Sequence, residues 1–237
     1  MKKMFKKLLI PACLLLVLGA LVGCSGGSQS AQGGSSGAVA WQSVSKISGL
    51  QNLLDTSEGE SSVSIPQFTN ADGNPALEGL NIAINNKCDE MVAKLADATG
   101  TVKVVPFALD TDSALSLVLL ETDTSEDGEV TYNVNSYVYD KTTEQEASLD
   151  ITMANAGVTD DDIAVAMDAY SEDLTDSSSD GTKYTWQEFT IDGFYIGEDG
   201  KPGFLVNTLM RAATSEQTVS NHAVYIFTNG SIIGELE

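Results

Sequence analysis

ALSLVLLETDTSEDGEVTYNVNSYVY, residues 114–139, is the stretch on which the fold turns. Ala114 to Leu120 is apolar on both faces, which suits a strand in the middle of a sheet. Glu129 to Tyr139 alternates instead. Val130, Tyr132, Val134 and Val138 share one face, with Thr131, Asn133 and Asn135 on the other. The acidic segment Asp123 to Gly128 between them has turn composition, so the two runs read as a hairpin.

Working outward, further strands are expected at Ser61 to Phe68, Thr101 to Leu109, Tyr184 to Phe189, Gly193 to Ile196, Phe204 to Met210 and Ala223 to Phe227. The run Glu198-Asp199-Gly200-Lys201-Pro202-Gly203 marks a second hairpin. Two main helices are signalled. The first has Asn74 as N-cap and Pro75 at the first helical position, where a missing N–H does no harm. Leu77, Leu80, Ile84, Cys88, Met91 and Leu95 follow at helical spacing, and Gly100 marks the stop. The second opens on Thr159, with Asp160, Asp161 and Asp162 favouring the positive helix start. Its apolar face is Ile163, Ala166, Met167, Tyr170 and Leu174. Thr175 to Lys183, TDSSSDGTK, reads as a long surface loop. Strands outnumber helices and tight turns join them, so the expected class is α+β with a mainly antiparallel sheet.

The beginning of the chain reads differently. MKKMFKKLLIPACLLLVLGALVGC has a basic head at Lys2, Lys3, Lys6 and Lys7 and an apolar run from Leu8 to Val22. This is a signal-peptide layout, too short for a comfortable membrane span. Its last four residues, Leu21-Val22-Gly23-Cys24, resemble the bacterial lipobox. That resemblance implies a diacylglyceryl thioether on Cys24, cleavage before it, and anchoring on the extracytoplasmic face of the cell membrane. Two or more acyl chains give a stable anchor. Ser25 to Gly37, SGGSQSAQGGSSG, is a flexible tether. The expected organisation is a signal over residues 1–23, lipidated Cys24 with tether over 24–38, and one extracytoplasmic domain over 39–237.

Four of the 12 basic residues fall in the signal and none of the 34 acidic ones do. The remainder therefore sets 8 basic residues against 34 acidic, a formal charge of −26. Such a chain lacks the cations that displace counterions from phosphates, which excludes nucleic acid as a partner. Anionic head groups repel it, so lipid must do the anchoring. Its field favours cations, whether metal ions or basic proteins, although an acidic surface also serves simply to keep an exported domain dispersed. Cys13 leaves with the signal and Cys24 is lipidated. Cys88 then remains without an intramolecular partner, as a buried thiol on a helix's apolar face.

Several segments together resemble the extracellular region of the lysozyme-sensing anti-sigma factor of Gram-positive bacteria. The same region occurs as a non-catalytic module beside some peptidoglycan deacetylase domains. The resembling pieces are Ile65-Pro66-Gln67-Phe68, Leu80-Asn81 and Ile84-Asn85, then Leu115-Ser116-Leu117 and Tyr137-Val138-Tyr139-Asp140-Lys141-Thr142-Thr143. Leu149, the helix from Thr159, and Phe194-Tyr195-Ile196 with Gly200 and Phe204 complete the set. The likeness spans most of residues 60–230. It implies an extracellular fold and a taste for basic, wall-degrading proteins. The departures limit what carries over. The family's Gly-Ala-His segment is replaced by Glu121 to Glu129, without His. Nothing corresponds to the cytoplasmic segment and spanning helix of the anti-sigma factor, so direct sigma-factor binding is not expected. Nor is there a counterpart to the deacetylase catalytic domain.

No residue pattern identifies catalysis, and no cofactor or metal site is expected. His222 is the single His, at the start of a strand, and there is no Gly-x-Ser-x-Gly elbow to go with it. Zinc needs several His or Cys ligands. Asp123-x-Ser125-x-Asp127-Gly128 resembles the start of a calcium loop, but Val134 stands where a bidentate Glu is required. Asp110 with Asp112, Asp72-Gly73-Asn74 and Asp160 to Asp162 read as turns and caps. Trp41 and Trp186 could stack on sugar rings, but half-buried core aromatics are the better reading of both. The expected function is a membrane-anchored surface lipoprotein with a non-catalytic binding or sensing domain, for a basic protein such as lysozyme. The alternatives are a cell-wall polymer-modifying enzyme working through a carboxylate pair and a structural envelope component.

Overall fold

The computed structural model describes residues 39–215 and 217–236. The signal-like segment, Cys13, Cys24 and the Gly/Ser run lie outside the described residues. In chain order, a 3₁₀ turn at Val44–Lys46 leads to β1 (Leu50–Glu58), β2 (Ser61–Phe68), α1 (Pro75–Asp97), β3 (Thr101–Asp110), β4 (Ala114–Thr124) and β5 (Val130–Asp140). Then come β6 (Gln145–Glu146), α2 (Leu149–Ala156), α3 (Asp160–Ser177), β7 (Lys183–Ile196), β8 (Pro202–Ala213), β9 (Thr218–Thr228) and β10 (Ser231–Glu235). Among the described residues, three helices and ten strands in two mostly antiparallel sheets make the domain α+β. No described helix is long and apolar enough to cross a membrane.

The first sheet runs in the order β1-β2-β3-β4-β5-β6, the second β10-β9-β8-β7. β2 and β3 pair in parallel, with α1 as the crossover between them. β4 is central and buried from Ala114 to Glu121, as its two apolar faces require. Leu115, Leu117 and Leu119 pack under α1 with Ile84, Met91, Val102 and Val104. Val118 and Leu120 point the other way, onto Leu205, Val224 and Ile226 of the second sheet. The outer face of that sheet carries Phe204, Val206 and Tyr225 against Ile163, Ala166 and Met167 of α3.

Both main helices begin as their sequences require. Asn74 Oδ1 accepts from the N–H groups of Ala76 and Leu77. Thr159 and Asp162 form a reciprocal capping box. The end of α1 departs from expectation. Its C-cap is Ala98 in extended conformation, so Gly100 is not a left-handed stop. Gly100 is small for another reason: a Cβ there would lie 2.0 Å from the Thr124 carbonyl oxygen.

Four elements escape the sequence pattern: β1, β6, α2 and β10. β1 is an edge strand, mostly exposed and bulged between Asn52 and Leu54, so its period is broken. β10 has only five residues and a bulge of its own. The two segments expected at Tyr184 to Phe189 and Gly193 to Ile196 are one strand. Bulges at Trp186/Glu188 and Ile191/Gly193 shift its register without ending it. The expected loop from Thr175 is shorter, because α3 continues to Ser177. Thr175 Oγ1 donates to the Ser171 carbonyl at 2.8 Å and accepts from Tyr184 N–H at 2.9 Å, tying the helix end to β7.

Segments distant in the sequence are tied together by single side chains. Asn81 on α1 and Phe68 on β2 exchange two hydrogen bonds of 2.9 Å, using both backbone groups of Phe68. Ser116 accepts from Ile196 N–H at 3.1 Å and Ser136 from Phe194 N–H at 3.2 Å, so serines of the first sheet satisfy the edge of β7. Asp140 Oδ1 accepts from Thr142 and Thr143 N–H groups, closing the turn after β5.

Candidate functional site

Most residues considered for chemistry have structural employment. Trp41 stacks edge-on to Phe107 and Tyr195, with centroids 5.5 and 4.9 Å away. Trp186 meets Phe189 at 5.5 Å and donates its indole N–H to Asp168. His222 lies half-buried within β9, opposite Leu209, in a shallow groove with Tyr132, Glu188 and Asn207 and no serine. Cys88 is buried, and burial with the neighbouring Asp89 charge pushes its thiol up. The calcium-like letters build the β4–β5 turn: Ser125 accepts from Gly128 and Glu129 N–H, and Gly128 takes φ +82°. Among the described residues no group of three or more His, Cys, Asp or Glu is placed to hold a metal.

A charged network stands where α1 crosses the end of β4. The inward register of β4 runs Leu115, Leu117, Leu119, then Glu121 and Asp123. The facing stripe of α1 turns basic over the same length, with Lys87 and Lys94 two turns apart. Lys87 Nζ lies 2.6 Å from Glu121 Oε2 and 3.0 Å from Glu90 Oε1. Lys94 Nζ bridges Glu121 Oε1 and Asp123 Oδ2. Glu121 is completely buried. Burial pushes its carboxyl up, but hydrogen bonds and charge from Lys87 and Lys94 outweigh this and hold it below the usual carboxylate range. Burial likewise disfavours charged Lys94, and its hydrogen bonds to Asp123 and Glu121 outweigh it, raising the amine. Asp123 Oδ1 is buried with no hydrogen-bond partner.

Beside this network, between the end of α1 and the β4–β5 turn, opens a cleft of about 330 Å³. Lys94, Asp97, Val102, Asp123, Ser125 and Glu129 are among the residues lining it. Three of them are carboxylates, and the single ammonium already serves Glu121 and Asp123. The sequence signal for this site was a pair of lysines on the inward side of a helix and acids continuing an inward strand register. It is hidden because Asp123 also begins an acidic turn.

No protein-family model matches the chain, and no curated protein matches it. The class defined by the fold is an α+β domain of two packed sheets, each covered by a helix, with an acid-rimmed cleft at one end.

Proposed function

We propose that this protein is a surface lipoprotein, anchored through Cys24 on the extracytoplasmic face of the cell membrane. Its folded part is a non-catalytic binding or sensing domain for a basic, cell-wall-active protein such as lysozyme. The observation that carries this reading is the imbalance of charge. After Cys24 there are 8 basic residues against 34 acidic. Four of those eight, Lys87, Lys94, Lys141 and Lys201, are already in ion pairs with carboxylates. The field outside the domain is therefore strongly negative, which steers and retains cationic partners. The likeness to the lysozyme-sensing region supports the same choice.

The carboxylate-enzyme alternative draws no support from Glu121. A general acid needs a raised pKa and access to substrate. Glu121 has a lowered one and is sealed beneath two lysines.

The test is calorimetry of the full chain, in mild detergent, with a basic lysozyme at low and at physiological salt. Saturable one-to-one binding that survives physiological salt supports the proposal. Binding that disappears with salt reduces it to charge attraction. Absence of binding at both, or release of fragments or acetate from peptidoglycan, overturns it.

A further inference from the structure

We propose that Val39–Lys46 is a releasable strap: a pull toward Cys24 draws it out of a slot between β2 and β3 while both sheets stay folded. This rests on the lipid-anchor reading above, which makes Cys24 the point from which the domain is held.

The slot exists because two prolines keep the first sheet from closing. β2 and β3 pair at Ser62↔Lys103 and Val63↔Val104 and then part. Backbone groups point alternately to the two sides of a strand. On β3, Val102 N–H reaches Ser61 Oγ of β2 and the Ala108 carbonyl accepts from Gln42 N–H, so the even-numbered residues face away from β4. On β2, Thr69 N–H goes to Gly49 beside β1, whereas both backbone groups of Phe68 go to Asn81, so the even-numbered residues face away from β1. The next two bonds of the parallel ladder would be donated by residue 106 to Ser64 and by residue 66 to residue 106. Both donors are proline, which has no N–H. The ladder stops, and the gap is left for another segment.

The strap fills that gap lightly. Gln42 N–H donates to the Ala108 carbonyl at 2.8 Å, and the Gln42 side chain to the Asp110 carbonyl at 3.4 Å. Trp41 lies edge-on to Phe107 and Tyr195. No side chain from Val39 to Lys46 is fully buried. Val39 and Ala40 line a cavity of about 610 Å³, and Ser43, Val44 and Ser45 line another of about 500 Å³. Few buried contacts mark the low-stability end of a fold. The chain beyond the strap is held differently. Ile47 is buried, and Thr69 donates to the carbonyls of Ser48 and Gly49 at 2.9 Å each. A pull from the tether is therefore resisted at Ile47, after the strap has left. Release removes a wall from both cavities and uncovers the ring surfaces of Phe107 and Tyr195 that Trp41 covers.

Optical tweezers test this on the full chain in mild detergent, with handles at Ser36 and Glu237 and, as a control, at Glu60 and Glu237. Glu60 lies in the exposed β1–β2 turn, so its load path bypasses the strap. The expected result with the Ser36 handle is an extra reversible extension of about 25–30 Å before the domain ruptures, from eight residues at about 3.3–3.6 Å each. Trp41→Ala and Gln42→Pro should lower the force of that step about twofold or abolish it, and leave the rupture force with the Glu60 handle unchanged. Strap release only together with the domain, the same steps in both geometries, or an early step untouched by both variants overturns the proposal. Failure of both variants to fold also overturns it, because the strap is then part of the cooperative core. The tweezers supply the pull, so none of these outcomes depends on lipidation. If Cys24→Ala stays labelled and membrane-bound, the anchor fails and the strap stands as a property of the fold.

Discussion

Lys87 on α1 donates a 2.6 Å hydrogen bond to Glu121 on β4, and both side chains are withdrawn from water, 9% and 1% exposed. Removing one partner of such a pair leaves the other charge buried, which costs about 3–5 kcal/mol, whereas replacing both with apolar groups is often close to neutral. Glu121→Leu is therefore expected to lower unfolding free energy by about 3 kcal/mol or more. Glu90, exposed and 3.0 Å from Lys87, softens the loss. Lys87→Met/Glu121→Leu should recover most of it. Urea denaturation of the two variants reads this, and a double variant as unstable as the single would show that packing, not charge, sets the loss.

The same cluster fixes a pH window. Glu121 sits below its ordinary 4.5, so its contribution is present above that value and is lost as pH falls through the lower folded value. Asp162, hydrogen-bonded by Thr159, and Asp180, held at about 2 by Ser178 and Thr182, act in the same direction. Lys94 sits above its ordinary 10.5, so its contribution is complete below 10.5 and is lost as pH rises through the higher folded value. Burial pushes Tyr137 and Tyr195 up to about 12 from 10.0, so their phenols favour the folded state below 10 and cease to above about 12. Denaturation midpoints measured from pH 3 to 12 should form a plateau between about 4.5 and 10. Glu121→Gln should lower that plateau and flatten its acid limb. An unchanged acid limb would rule Glu121 out as its source.

Asn81 is the bracket between α1 and β2. Asn81→Leu leaves the buried N–H and carbonyl of Phe68 without partners, and a loss of about 2 kcal/mol is expected. Hydrogen exchange should show faster exchange at Phe68 N–H in this variant. Unchanged protection there would mean that another group takes over.

Cys24→Ala should abolish metabolic labelling with palmitate and shift the protein from the membrane fraction to the soluble one. Retention of both label and membrane association would overturn the lipid-anchor proposal.

Legibility in the sequence followed the range of the interactions concerned. Asn74 with Pro75, and Thr159 with Asp162, act within one helical turn, so the starts of α1 and α3 could be read directly. The burial of β4 was legible because every residue from Ala114 to Leu120 except Ser116 is apolar. The bulges that keep β7 continuous are defined by partners on β8, such as Met210 for Trp186 and Leu205 for Gly193, and no local signal marks them. Gly100 looked like a helix stop because glycine often is one. Its actual constraint is the Thr124 carbonyl, brought near only by strand pairing.

The sequence by itself determined the α+β class, the two main helices, the central hairpin and a field of carboxylates with few cations to offset them. These follow from periodicity, capping chemistry and composition, which are local or global sums. Only the tertiary structure decided which charges meet. Lys87 and Lys94 are separated from Glu121 and Asp123 by about 30 residues, and nothing in either segment names the other. Crossing α1 over the end of β4 turned four scattered charges into one network, buried at Lys87 and Glu121 and half-buried at Lys94 and Asp123.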